Sequence, residues 1–164
     1  MPNKRHKEPF KGLHVRVQLI KEGTPQYDRP IRCPEDVVEI VSEIRAWDRE
    51  VFLTIALDIR NQVLGIETTA IGSVSATPIN PREVFKAVLL ANASSVIFCH
   101  LHPSGCAEPS AEDKAMTRHL IEGARLLGIE VLDHIIITHN KHFSFVEEGL
   151  LAAVRAAKLG QSQG

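Results

Sequence analysis

Hydrophobic and polar positions along the chain predict strands and helices in turn. Two apolar, β-rich runs at residues 51–57 and 63–71 flank a short polar turn and indicate a hairpin. Polar and apolar residues alternate at 14–20, which is typical of an edge strand. The predicted strands span residues 14–20, 51–57, 63–71, 93–99, 129–138 and 142–146.

Helices are predicted between these strands. The first two begin at Pro34 and Pro81, each followed by acidic residues, because proline fits a first helical turn and acids complement its dipole. Ser110 begins the third and Gly128 ends it. The predicted helices span residues 34–47, 81–93, 110–127 and 147–158. This order of elements implies an α/β fold, with one mixed β-sheet flanked by helices.

The composition indicates one globular domain. A chain of 164 residues with 44% hydrophobic residues can build one sizeable core, which we assign to residues 33–158. Residues 1–32 form a predicted basic tail and edge strand, and residues 159–164 a frayed end. The net charge of −1 gives no general attraction for nucleic acid. Eight Lys and Arg against three acids lie in residues 1–32, where a solvated tail is a simpler interpretation than a nucleic-acid arm.

The cysteines and the hydropathy favour a cytoplasmic protein. Three cysteines without a C-x-x-C pair, and no signal peptide at the basic N-terminus, are typical of a reducing compartment. No apolar run reaches the ~18 residues needed to cross a bilayer, so no membrane association is expected.

The segment from His100 to Asp113 reads HLHPSGCAEPSAED and carries the clearest chemical signal. Residues two apart on a strand project from the same face, so His100 and His102 can face one ion. Asp113 then follows on the first turn of the predicted helix. Two histidines and a carboxylate supply three ligands and leave a position for water, which is typical of a catalytic zinc site with one Zn²⁺ per chain.

Several of these residues also have interpretations that need no metal. Ser110 followed three residues later by Asp113 is close to a helix capping box, which is compatible with coordination. His139 and His142 flank a turn, and an exposed turn is the simpler interpretation. Other candidates are His119, which has no obvious partner, and Cys106, a further loop ligand. Asp133 and His134 are neighbours on a predicted strand and face opposite sides, so at most one of them can face the site and support a ligand. Strand parity turns Cys99 away from the histidines.

A hydrolytic zinc site also needs a base for its water. Glu67 is the preferred candidate, because a carboxylate inside an otherwise uncharged strand is costly without a partner. A solvent-facing glutamate on an edge strand explains the same residue equally well. Glu83 is the rival, although its position at a helix start is explained by the helix dipole.

The same residues resemble a known metalloprotease motif. The spacing of four residues is similar to the JAMM (MPN-plus, or JAB) pattern at every required position. One residue separates His100 from His102, seven separate His102 from Ser110, and two separate Ser110 from Asp113. The surrounding sequence resembles the RadC-like branch of that family over about residues 33–151. Its landmarks here are PREVFKA from Pro81, HPSG from His102, LDHII from Leu132 and SF at Ser144.

The resemblance implies an α/β JAB/MPN sandwich related to the cytidine-deaminase fold. The chain has H-x-H and lacks the P-C-x-x-C of the deaminases, which argues against base deamination. Leu101 stands where relatives usually have asparagine. The N-terminal helix-hairpin-helix region of full-length relatives does not fit within residues 1–32.

The sequence therefore predicts a zinc-dependent peptidase or isopeptidase acting on a peptide or protein. His100, His102 and Asp113 hold the ion, Glu67 accepts the proton of the attacking water, and Ser110 helps to stabilise the oxyanion. The alternative is a DNA-repair or mobile-element accessory module that binds DNA or a protein and uses the metal for structure. Zinc-dependent hydrolysis of a non-peptide bond is a third option. Homo-oligomers through the edge strand at 14–20 stay open.

Overall fold

A mixed five-stranded sheet forms the centre of the protein. The structure, a computed structural model, describes residues 18–19, 21–23, 27–72 and 79–156. Its strands are β1 (Val51–Leu57), β2 (Val63–Ile71), β3 (Ser95–Leu101), β4 (Glu130–Ile137) and β5 (His142–Ser144). The strand order is β2-β1-β3-β4-β5, with β3 and β4 parallel and the other neighbours antiparallel.

The helices cover both faces of this sheet. They are α1 (Pro34–Ile40), a 3-10 helix at Ser42–Ala46, α2 (Pro81–Leu90), α3 (Ala111–Leu126) and α4 (Leu150–Ala156). Parallel neighbours such as β3 and β4 require a crossover, and α3 supplies it. None of the described helices combines the length and apolarity needed to span a bilayer.

Two apolar clusters hold the layers together. One lies under α2, α3 and α4 and is built around the buried rings of Phe52, Phe85, Phe98 and Phe145. The other lies under α1 and the 3-10 helix on the opposite face. Because both faces are covered, every residue of β1 and β3 is buried. The predicted α/β fold, a mixed sheet with helices on its faces, is therefore confirmed.

The hairpin is observed where the sequence predicts it, but three helix predictions are wrong at their ends. The helix predicted over 81–93 ends at Leu90, two residues before Asn92, which has a positive φ of 52°. The helix predicted over 34–47 leaves α-geometry at Val41, whose φ of −102° and ψ of 19° lead into the 3-10 helix. The helix predicted from 147 begins at Leu150, because Gly149 has a positive φ of 69° that interrupts the turn before it.

Three other predicted elements differ or lie outside the described residues. The strand predicted over 93–99 lies at Ser95–Leu101 and so includes His100 itself. Residues 1–17 and 157–164 lie outside the described residues, and so does the strand predicted at 14–20 apart from residues 18 and 19.

Removing the ring at the centre of the first cluster should destabilise the fold strongly. Phe98 is fully buried between Phe52 and Phe85. We expect Phe98→Ala to lower the free energy of unfolding by about 3–5 kcal/mol, since a large cavity is left. Urea denaturation of the metal-free protein measures this. Ile59→Ala, at an 88% exposed position, is the control and should change it by less than about 0.5 kcal/mol. Equal losses in the two variants would contradict this account of the core.

Candidate metal centre

Three side chains converge where β3 ends and α3 begins. Nδ1 of His100 lies 3.2 Å from Oδ1 of Asp113, and Nε2 of His102 lies 3.5 Å from Oδ2 of the same carboxylate. One ligand atom from each residue can be chosen so that all lie within 4.8 Å of one another. The predicted ligand trio is therefore brought together in space.

Strand pairing places the two histidines. His100 lies on β3, opposite Phe52 of β1, and is only 2% exposed. His102 follows the strand, and its main-chain N–H donates to the carbonyl of Ile137 at 2.8 Å, which extends the β3–β4 ladder. The two imidazole rings lie with centroids 4.5 Å apart, so both face the same space.

A helix cap places the carboxylate. The Ser110 hydroxyl accepts from the Asp113 main-chain N–H at 3.0 Å, and the Ser110 main-chain N–H donates to Asp113 Oδ2 at 2.8 Å. The Ser110 hydroxyl also donates to that oxygen at 2.6 Å. The sequence left capping and coordination as compatible interpretations. The capping box is present, and it also points Asp113 at the histidines.

The loop after His102 selects the tautomer of that ring. Gly105 has a positive φ of 82°, which turns the chain back so that the Cys106 carbonyl lies 2.9 Å from Nδ1 of His102. A carbonyl only accepts, so Nδ1 carries the hydrogen and Nε2 keeps its lone pair for a metal. The Cys106 thiol is exposed, and it is the main-chain oxygen that contacts His102.

The charges of the trio suit a cation. Burial by itself would raise the pKa of Asp113, but its contacts with His100, His102 and Ser110 hold it well below its ordinary range. The hydrogen bond with Asp113 raises the pKa of His102 against the opposing effect of burial. The carboxylate is thus ionised at neutral pH and strongly favours a positive neighbour.

The residues fit a divalent metal on three counts. Ligand atoms about 2.0–2.2 Å from a tetrahedral zinc ion are separated by roughly 3.3 Å. The 3.2 Å between Nδ1 of His100 and Oδ1 of Asp113 is close to this separation. Nε2 of the buried His100 lacks a hydrogen-bond partner among the described residues, and Nδ1 contacts only Asp113, at 3.2 Å, without the geometry of a hydrogen bond, which a metal ligand would explain. Two imidazoles and a carboxylate also form a ligand set that zinc accepts. The group can therefore hold a metal ion.

The trio opens into a cavity of about 570 Å³. The other residues that line it come from several elements: Glu50, Ile79, Ser104, Ser110, Glu112, Ala115, Met116 and His119. Met116 and Ile79 give it apolar walls, and Glu50 and Glu112 give it acidic groups. A substrate group can thus reach the ligands from solvent.

Glu50 was missed by the sequence reasoning, although it lies beside the trio. β1 and β3 pair with Val51 opposite Leu101, and continuing this antiparallel register puts Glu50 opposite His102. The negative charge of Glu50 also contributes to the raised pKa of His102. The pairing of β1 with β3 is what shows that Glu50 lies near His102. The residues that precede Val51 in the sequence do not indicate it.

Glu67 occupies a different place on the same face of the sheet. It pairs with Thr54, which pairs with Phe98, so it lies level with the residue two positions before His100. β1 lies between β2, which carries Glu67, and β3, which carries His100, so the backbones of β2 and β3 are separated by roughly 10 Å. Glu67 does not line the cavity. Its Oε2 is buried without a hydrogen-bond partner among the described residues, and burial raises its pKa.

Glu83, the rival candidate for the base, is explained by a local contact. Glu83 is exposed in the first turn of α2, where Lys86 donates to its carboxylate at 2.6 Å. That contact lowers the pKa of Glu83. Glu112 lines the cavity from the first turn of α3 but is exposed, and Glu108 is exposed in the loop before it.

The remaining histidines and cysteines separate as strand parity predicts. Cys99 packs into the cluster on the far face of the sheet, away from the trio. His134 lies on the near face, where burial lowers its pKa to about 3 and keeps it neutral. His142 lies 3.7 Å from Glu35, and His139 is exposed. Among the described residues, His100, His102 and Asp113 are the group that can hold a metal.

Comparison with known proteins agrees with this geometry. The family model of the RadC-like JAB domain matches residues 31–150. UPF0758 proteins of Desulforamulus reducens, Moorella thermoacetica and Methanosarcina acetivorans are 48%, 46% and 45% identical over 122, 122 and 124 residues. These alignments cover 74%, 74% and 75% of this chain, and 54%, 53% and 54% of the relatives. The chain thus spans about half the length of the curated relatives it matches.

The fold and the site together define a JAB-type domain with a histidine–histidine–aspartate group that can hold a metal. The chain belongs to the RadC-like JAB domain family. The name UPF0758 protein, which the three relatives share, states no activity.

Metal binding should weaken as the pH falls. His102 must be neutral to coordinate, and its pKa is raised above the ordinary 6.5. At a pH below the pKa of His102, the imidazole carries a proton that the metal must displace. At a pH above this pKa the imidazole is neutral, so no proton competes with the metal. We expect the zinc Kd to be nearly constant above the His102 pKa and to rise by about tenfold per pH unit below it.

Competition with a chromophoric chelator at about pH 8 and about pH 6 measures this dependence. His139→Asn, which changes an exposed histidine outside the site, is the control and should show the same curve as the wild type. A Kd that is equal at both pH values would contradict the assignment of His102 as a ligand.

Proposed function

We propose that the chain is a zinc-dependent metallopeptidase or isopeptidase that hydrolyses an amide bond in a peptide or protein. One observation carries this proposal. The His100, His102 and Asp113 group, of which His100 and Asp113 are buried, opens into a cavity, and Glu50, the residue before β1, lines the same cavity. A purely structural metal is normally enclosed by protein ligands, whereas this arrangement leaves one side open.

Zinc is the metal that the donor set supports best. Imidazole nitrogens and a carboxylate oxygen are all ligands of catalytic zinc sites. When bound, zinc lowers the pKa of a water molecule to about 7 and polarises a carbonyl oxygen. The protein itself presents an ionised Asp113 and the lone pair of His102 Nε2, both fixed by hydrogen bonds to their neighbours.

Glu50 is the proton acceptor in this proposal. It lines the cavity and lies opposite His102, within the range where its charge raises the pKa of that imidazole. A carboxylate there can take a proton from a nucleophilic water and later give it to the leaving amine.

Glu67, the base preferred from the sequence, is the alternative to Glu50. It has an unpartnered buried oxygen and a raised pKa, both suited to proton transfer. The position of Glu67 outside the cavity favours Glu50 as the base. The oxyanion role of Ser110 also stays a prediction, because its hydroxyl hydrogen is already donated to Asp113.

Exchange of each glutamate for glutamine should identify the base. We expect Glu50→Gln to keep bound zinc and to lower kcat by about 10²–10⁴-fold, since only the proton acceptor is lost. Hydrolysis of a mixed library of peptides and Nε-peptidyl-lysine conjugates, followed by mass spectrometry, supplies the readout. Metal content is measured in parallel by elemental analysis.

One control variant and two possible outcomes decide the interpretation of this experiment. Glu130→Gln, on the exposed start of β4, is the matched control and should keep full activity. Loss of activity in Glu67→Gln with full activity in Glu50→Gln would assign the base to Glu67. Zinc-loaded wild type that cleaves no member of the library, or iron as the resident metal, would reject the proposed zinc peptidase.

A further inference from the structure

A short chain of buried hydrogen bonds connects β4 to the first turn of α3, directly behind the metal ligands. Nδ1 of His134 lies 2.6 Å from the Thr117 hydroxyl, and that hydroxyl donates to the main-chain carbonyl of Asp113 at 2.6 Å. His134 and Thr117 are both 0% exposed. The chain therefore ends on the main chain of the residue whose side chain is the carboxylate ligand.

The direction of these bonds follows from the number of hydrogens. The Thr117 hydroxyl has one hydrogen, and the Asp113 carbonyl can only accept it. The same hydroxyl must then accept from His134, so Nδ1 of His134 carries a hydrogen and Nε2 carries a lone pair. That Nε2 is buried and has no hydrogen-bond partner among the described residues.

Packing does not explain a histidine at this position. The His134 ring stacks on Phe145 with centroids 4.7 Å apart, and its edge contacts Phe52 and Phe98 at 5.8 and 6.2 Å. Phenylalanine would fill this aromatic surrounding without leaving an unpaired ring nitrogen. The remaining reason for histidine is its bond to Thr117.

The bond joins the two elements that deliver the ligands. His134 pairs with Phe98 and lies on the same sheet face as His100, with the two imidazole rings nearly parallel at 6.4 Å. Asp113 belongs to α3, a separate element whose first turn must be held at one distance from the sheet. Thr117 lies one turn further along α3 and contacts the sheet at His134.

We infer that His134 and Thr117 are positioning residues of the metal centre, which hold Asp113 at the distance from His100 and His102 that one ion requires. Neither residue touches the metal or a substrate. The inference concerns metal binding alone and stands whether or not the chain is a peptidase.

Cobalt(II) substitution tests this inference without any assay of activity. We expect His134→Phe and Thr117→Val to weaken Zn²⁺ and Co²⁺ binding by about 10–100-fold and to change the visible absorption of bound Co²⁺. Thr117→Ser keeps the hydroxyl and should restore wild-type affinity and spectrum. The Tm of metal-free His134→Phe should equal or exceed that of the wild type, because an unpaired buried nitrogen is removed.

A buried pair on the opposite face of the same sheet supplies the control. Ser144 donates to Asp133 at 2.6 Å, and both buried side chains lie on the sheet face that carries Cys99 and not the ligands. Ser144→Ala should lower the Tm and leave the cobalt spectrum unchanged. Wild-type affinity and spectrum in Thr117→Val would overturn the inference, and so would a Thr117→Ser variant as weak as Thr117→Val. If His134→Phe does not fold, the two Thr117 variants still decide.

Discussion

The candidate metal centre depends on one geometric constraint, which is that the first turn of α3 must meet the end of β3. The two histidines belong to the sheet and the aspartate belongs to the helix, so neither element holds a metal alone. A capping box orients the Asp113 carboxylate from the front, and Thr117 ties its main chain to β4 from behind. The crossover from β3 through α3 to β4 therefore builds the fold and the site with the same contacts.

Burial makes this constraint effective. β3 lies in the middle of the sheet with helices on both faces, so His100 and Asp113 are withdrawn from water while His102 lies at the rim of the cavity. In such surroundings an ionised carboxylate beside two imidazoles is costly without a cation to balance it. The same low-dielectric setting strengthens the attraction between Asp113 and a bound metal.

The three candidate ligands could be predicted from the sequence, because the placement of each depends on its neighbours in the chain. Alternation along a strand puts His100 and His102 on one face and turns Cys99 away, and a Ser-x-x-Asp cap places Asp113 on a first turn. The position of Glu50 near His102 could not be predicted from the sequence. It depends on the pairing of β1 with β3, which lie more than forty residues apart in the chain. The contact between His134 and Thr117 likewise depends on how α3 lies on the sheet. The end of α1 at Ile40 and the start of α4 at Leu150 were not predicted. In both places the residue pattern is typical of a longer helix, but the backbone angles of the adjoining residue are not helical.

A crystal structure at neutral pH, with anomalous data collected on both sides of the zinc absorption edge, shows whether these three side chains hold one metal ion. We expect one anomalous peak within about 2.0–2.2 Å of His100, His102 and Asp113, with a remaining coordination position that faces the cavity. Zinc-replete protein with no peak there, or with the three side chains turned away from one another, would contradict this expectation.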